Sequence, residues 1–227
     1  MSSQLGTVTH ELDEARKHYR SAVIPPKVLE ILDNETTMTV DSKILTSALK
    51  VGAVAPDFDL PNVSGESIQL YKLLAEGPVV LTFYRGGWCP YCSIALRGLQ
   101  RELKEFRALG AELVAISPEL PDNSLTTSEK NGIEFQVLSD TGNKVAAMLG
   151  VAVLVSKEVQ GVYRGFGNAL DLINGVSGAE SLPAPSTFVI GKDKIVRLTF
   201  VDADYTKRLD PLDALKALRS LASESVG

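Results

Sequence analysis

The chain has 227 residues, enough for one large domain with a real apolar core, and 44% hydrophobic against 22% charged residues is an ordinary globular balance. Its formal net charge of -5 gives no basic footprint for nucleic acid or an anionic membrane surface, so neither is expected as a partner. No run approaches the ~18 consecutive apolar residues of a membrane span, and Met1-Ser2-Ser3-Gln4-Leu5-Gly6-Thr7 lacks the basic and apolar regions of a secretory signal, so the expected location is cytoplasmic.

Residues 9–50 are charged and helix-like, with Leu12, Ala15, Tyr19 and Ala22 at helical spacing. Pro25-Pro26 interrupts that pattern; Val28, Leu29, Ile31 and Leu32 begin another, and a third helix is expected over Ile44, Leu45, Ala48 and Leu49. Composition changes at Val51-Gly52, where Pro56, Pro61 and Gly65 punctuate extended pieces. This predicts a helical extension over 1–50, serving as a wrap or a homodimer contact, and a second domain over 51–227.

From there strand and helix alternate. Val79-Val80-Leu81-Thr82-Phe83 is the continuous apolar run of a strand buried on both faces. Ile94, Leu96, Leu99, Leu103 and Phe106 form one helical stripe over 92–109, closed by Gly110. Strands follow at Leu113-Val114-Ala115-Ile116 and Phe135-Gln136-Val137-Leu138, with helices over 124–131 and 144–149. Residues 151–182 are less regular and rich in glycine. Thr187–Ile190 and Ile195–Phe200 read as a β-hairpin, and Pro211 opens a final helix. The class is α/β: a mixed sheet flanked by helices.

The chain's two cysteines, Cys89 and Cys92, sit three positions apart where the apolar strand gives way to the helical stripe. A thiol on the first turn of a helix faces unpaired N–H groups and the positive end of the dipole, which favours its thiolate. A second thiol one turn on can close a disulfide behind it. Zinc needs about four protein ligands in a structural site; two cysteines and the distant His10 and His18 do not supply them, so no metal is expected. A structural disulfide across so short a loop is strained and removes little chain entropy. Inert buried thiols fit the junction poorly. The pair therefore reads as a redox centre.

With Trp88-Cys89-Pro90-Tyr91-Cys92 opening the first core helix and Pro185 just before a late strand, the chain resembles the thioredoxin fold. More narrowly it resembles the peroxiredoxin-like proteins of the alkyl hydroperoxide reductase / thiol-specific antioxidant (AhpC/TSA) superfamily. Val54-Ala55-Pro56-Asp57-Phe58, the run from Phe83 to Cys92, the run from Ile133 to Asn143 and Pro185–Ile190 carry the resemblance over about residues 51–222. It implies a thioredoxin-like, peroxiredoxin-like sheet and a peroxidase acting on hydrogen peroxide or organic hydroperoxides. No cofactor is implied, and a thioredoxin- or glutathione-type donor would restore the thiols.

Cys89, nearer the helix start and expected to be the more exposed, is assigned the attack and the depressed pKa; Cys92 is assigned the resolving role. Trp88, Tyr91, Arg85 and Pro185 are the candidate substrate-positioning residues, with Ala184-Pro185 expected to be cis and to lie against the cysteines. Two departures stand out. Peroxiredoxins usually carry Thr or Ser three residues before the attacking Cys, where Gly86 precedes Cys89, and an Arg where this chain has Pro185. Losing one such donor typically costs ~10²–10³ in rate, so slow peroxide turnover is expected. The departures leave open a thioredoxin-type thiol–disulfide oxidoreductase, and a redox-sensing, partner-binding protein without turnover. Asp202, Asp204, Tyr205, Lys207 and Arg208 read mostly as a solvated loop.

Overall fold

The computed structural model describes residues 7–175 and 181–224. Thr7 caps α1 (Val8–His18) by accepting from the His10 N–H at 3.3 Å, and α1 relaxes into a single π turn over Tyr19–Val23. Pro26, whose missing N–H costs nothing at a helix start, opens α2 (Pro26–Asp41). The expected third helix is only a 3₁₀ turn, Ile44–Ser47. Lys43 turns the chain with a φ of 55° and Ala48 is already extended, which leaves no room for more.

A small hairpin, β1 (Asp59–Pro61) with β2 (Ser67–Gln69), leads into α3 (Leu70–Glu76). Asp57 fixes that entry: its carboxylate accepts from the Phe58 and Tyr71 N–H groups at 3.0 and 2.9 Å. Then come β3 (Val79–Phe83), α4 (Pro90–Arg101), α5 (Leu103–Ala108) and β4 (Glu112–Ser117). The predicted single helix over 92–109 is thus two, because Glu102 leaves helical geometry (φ -93°, ψ 2°), while Leu103 and Phe106 keep their apolar stripe buried.

The chain continues through α6 (Pro121–Asn131), β5 (Gln136–Ser139) and α7 (Lys144–Met148). Asp140 accepts from Val145 and Ala146 N–H at 3.1 and 2.9 Å and so anchors the start of α7. The stretch expected to be irregular holds β6 (Ala152–Leu154), α8 (Lys157–Gly165), α9 (Leu170–Ile173) and β7 (Ser181–Pro183). Its residues 176–180 lie outside the described ones. Val159 and Tyr163, one turn apart on α8, bury against Leu32 of α2, an order that glycine counting hid. The predicted hairpin, β8 (Ser186–Ile190) and β9 (Val196–Val201), and α10 (Pro211–Glu224) complete the fold.

The central sheet runs β5-β4-β3-β8-β9; β5, β4, β3 and β9 run in one direction and β8, between β3 and β9, runs antiparallel to both. Strand alternation splits the core between two faces. Val80, Leu113, Ala115 and Val189 face α4, α5 and α10, whereas Leu81, Val114, Ile116 and Phe188 face α3 and α7. Helix α1 belongs to the first face. Val8 and Leu12 are buried there, and a Cβ at Gly98 of α4 would come within 2.2 Å of Val8 Cγ2, so glycine is what lets the two helices approach. Helix α1 is thus packed onto the core.

Candidate active site

Beyond the end of β3 the Tyr84 N–H still reaches the Ile116 carbonyl at 2.9 Å, and the chain then turns through Arg85-Gly86-Gly87-Trp88. Gly86 has φ 148°, and a Cβ there would meet Trp88 Nε1 at 2.3 Å; glycine is needed for both reasons. Cys89 is the N-cap residue of α4, its carbonyl accepting from Cys92 and Ser93 N–H at 3.1 and 3.2 Å, with Pro90 at the first helical position. Both cysteines are free thiols on the first turn.

The two sulfurs differ in surroundings, and not as expected. Cys89 is 2% and Cys92 0% exposed, so neither is a surface thiol. Arg208 donates from Nη2 to Cys92 Sγ at 2.8 Å, and the Arg85 backbone N–H reaches the same sulfur at 3.4 Å. Burial opposes ionisation of Cys92, but the hydrogen bond from Cys89, the Arg208 guanidinium and the Arg85 amide and charge outweigh it and hold its thiol well below the usual range. The hydrogen bond to Cys92 and burial push Cys89 up instead, against the smaller pull of Arg208 and Arg85. The expectation of a depressed Cys89 is therefore reversed: the Arg208 guanidinium and the Arg85 amide both donate to its partner.

Arg208 comes from the loop between β9 and α10. Asp204 accepts from the Thr206 N–H at 2.9 Å and its hydroxyl at 2.7 Å, curling the loop, and Arg208 Nη1 is clamped on the Tyr205 and Lys207 carbonyls. Arg208 is 9% exposed, not solvated as the polar run suggested. No motif marks it; the signal available was a run of charge placed where a sheet edge returns toward the first helix.

Arg85 is also buried, donating to the Tyr163 hydroxyl and lying 5.3, 5.1 and 5.1 Å from the ring centres of Trp88, Tyr163 and Tyr205. Such contacts contribute about 2 kcal/mol or more each when shielded from water. Trp88 leans on Tyr163 with ring centres 5.0 Å apart, and Tyr91 meets Tyr19 and Tyr205 at 5.8 and 5.9 Å. With Cys89, Pro90, Phe166 and Asn168, these side chains line a cavity of about 280 Å³ to which the segment before residue 51 adds Val23, Ile24 and Leu32 beside Tyr19. Arg85, Trp88 and Tyr91 are thus brought together with Cys89.

Pro185 is not. It lines a separate cavity of about 50 Å³ that shares Arg85, Tyr163 and Tyr205 as a partition. The Ala184-Pro185 bond is trans, contrary to expectation: no cis bond occurs among the described residues. The Ala184 N–H is tied to the Val151 carbonyl at 2.8 Å and the Pro185 carbonyl accepts from Asp202 N–H at 3.1 Å, so the link runs extended from β7 into β8 and trans, the default isomer, satisfies both.

A second residue without a motif is Glu119, just beyond β4. It is buried, and its two oxygens accept from the Gly87 N–H at 3.1 Å each while Thr127 Oγ1 lies 3.3 Å away. Burial pushes its carboxyl up to about 7, against the hydrogen bonds from Gly87 and Thr127. It pins the loop that carries Cys89.

The AhpC/TSA family model matches residues 51–199. Peroxiredoxin Bcp of Escherichia coli (strain K12) is 29% identical over 119 residues, covering 51% of this chain and 76% of that protein. Chloroplastic peroxiredoxin Q of Populus jackii is 28% identical over 171 residues, 75% of this chain and 68% of its own. Among solved structures, peroxidoxin BcpB from Mycobacterium tuberculosis matches with a TM-score of 0.60 and 26% identity over 76% of this chain and 98% of that one. The matched segment takes in β3, β4, β5 and β8, the first part of β9 and the cysteine turn itself, and on that ground the chain belongs to the AhpC/TSA family.

Proposed function

We propose that the chain is a thiol-dependent peroxidase in which Cys92 attacks the peroxide and Cys89 resolves. The observation that carries this reading is the Arg208 guanidinium on Cys92 Sγ at 2.8 Å, in a chain whose relatives are peroxiredoxins. The thiolate, not the thiol, is the nucleophile. The Cys92 thiolate attacks the outer oxygen of R–O–OH; the S–O bond forms, the O–O bond breaks, and R–O⁻ leaves and takes a proton as the alcohol, or as water when R is hydrogen. Cys92 is now a sulfenic acid. The Cys89 sulfur displaces its hydroxyl, giving the Cys89–Cys92 disulfide and one water. A dithiol of thioredoxin type, or two glutathione-type thiols, then supplies two electrons and two protons to restore both.

Counting from Cys92 changes the meaning of the Gly86 departure. Three residues before Cys92 stands Cys89, so an S–H, a weak donor, occupies the place where the resemblance implies a hydroxyl. The missing cation has a substitute in Arg208. These points support faster turnover than the two departures alone implied. We further propose division of the chain near residue 51 and a cytoplasmic location, whose reducing thiol pools suit a centre that must be re-reduced each cycle.

A second reading has one observation in its favour: Cys89, not Cys92, lines the cavity, as suits a thiol–disulfide oxidoreductase attacking through Cys89. The trans Ala184-Pro185 bond removes the main argument for it. NADPH consumption with hydrogen peroxide, thioredoxin and thioredoxin reductase, run beside insulin reduction, separates the two. Peroxide-dependent consumption without appreciable insulin reduction is expected; the opposite pattern would contradict the peroxidase.

A further inference from the structure

The cavity beside Cys89 has an outer wall that the family match does not cover. Tyr19, Val23, Ile24 and Leu32 all precede residue 51, where the matched segment begins. At about 280 Å³ it lies near the lower end of small-molecule pockets, ~300 Å³. Water's share of liquid volume is about 30 Å³, so hydrogen peroxide would leave most of the space unfilled. Its lining is mainly aliphatic and aromatic, with Arg85 and Asn168 as polar exceptions beside the thiol and the tyrosine hydroxyls.

The wall is also braced. Arg20 forms a two-pronged contact to Asp33, 2.8 Å on each arm, across the turn between α1 and α2. The Ile24 N–H closes onto the Tyr19 carbonyl at 2.9 Å, and Leu32 is buried with Val155, Val159 and Tyr163. Val23 and Phe166, both lining the same cavity, are 49% and 52% exposed, so an apolar occupant would cover large side chains now left in water.

We infer that Tyr19, Val23, Ile24 and Leu32 are specificity-determining residues that seat the organic part of an apolar aryl or alkyl hydroperoxide beside Cys89, the cysteine that lines this cavity, with Cys92 one helical turn behind it. The inference rests on the peroxidase reading and goes beyond it in assigning substrate preference to the extension. An apolar pocket discriminates by about tenfold or more for each methylene-sized contact.

The test uses the full chain and Ile24→Ala and Val23→Asp, the latter at a half-exposed position. The readout is kcat/KM for cumene hydroperoxide divided by kcat/KM for hydrogen peroxide, a ratio in which any loss of active protein cancels. The wild type should favour cumene hydroperoxide, and each variant should lower the ratio about tenfold. Trp88 is the sole tryptophan, so titration with 2-phenyl-2-propanol, the product alcohol, should change its fluorescence saturably, and more weakly in Val23→Asp. Ratios equal across all three proteins, or a fluorescence signal that never saturates, would overturn the inference and leave the peroxidase standing. A wild type that reduces neither peroxide would overturn both.

Discussion

The segment matched by the family, residues 51–199, and the segments flanking it divide the work of the site. The matched segment supplies the sheet, the tight turn and both cysteines. The flanks add Arg208 on the Cys92 sulfur from one side, and Tyr19, Val23, Ile24 and Leu32 of the cavity wall from the other. They are joined to each other as well, through the Thr9 N–H and hydroxyl on the Asp210 carboxylate at 3.3 and 3.2 Å and the Arg16–Asp204 ion pair at 3.8 Å. A shared scaffold can thus keep its thiol chemistry while sequence outside it adds to the control of ionisation and access.

The largest effect should come from the matched segment. Cys92→Ser should abolish peroxide consumption, whereas Cys89→Ser should still consume one equivalent and stop at a sulfenic acid, read by dimedone labelling and mass spectrometry. Full turnover by Cys92→Ser would return the attack to Cys89. Next is the flank: Arg208→Met should slow the single-turnover reaction with peroxide about 10²–10³-fold by stopped flow, the usual loss for a donor aimed at developing charge. A rate within a factor of two of wild type would assign activation to the matched segment alone.

The extension should matter to stability as well as to access. Leu12→Ala removes a buried side chain between α1 and the core and should cost about 2–5 kcal/mol by urea unfolding. A change below about 0.5 kcal/mol, the range of surface positions, would show that the core stands without its wrap.

The smallest effect concerns Glu119. Its carboxyl is raised to about 7 from an ordinary 4.5, so the folded state binds that proton more tightly than the unfolded one. Its contribution to stability is fully present below about pH 4.5 and is lost as pH rises through about 7. Glu119→Gln is neutral throughout and keeps an oxygen for the Gly87 N–H. Its Tm should match wild type near about pH 5 and exceed it by a few degrees near about pH 8. Parallel curves would mean that burial of Glu119 carries no titration.

The sheet was legible because apolar runs such as Val79–Phe83 leave one arrangement open, and the cysteine turn because its spacing and its strand-to-helix junction are local. Arg208 was not, since 116 residues separate it from the sulfur it touches and its own neighbours are polar. The helical stripe of 92–109 concealed the break at Glu102 because the apolar spacing passes through it unbroken. Ala184-Pro185 misled for another reason: proline before a strand fits either isomer, and the backbone partners from Val151 and Asp202 that the trans link satisfies are far away in sequence.

The most direct test of the central claim, that the depressed thiol is Cys92 and not Cys89, is the pH dependence of iodoacetamide alkylation in Cys89→Ser and Cys92→Ser. Serine retains an O–H donor in place of each lost thiol. Cys92, alone in Cys89→Ser, should react with a midpoint well below the usual thiol range of about 8.5, and Cys89, alone in Cys92→Ser, should not react appreciably until the pH is higher. A lower midpoint for Cys89 than for Cys92 would contradict the account.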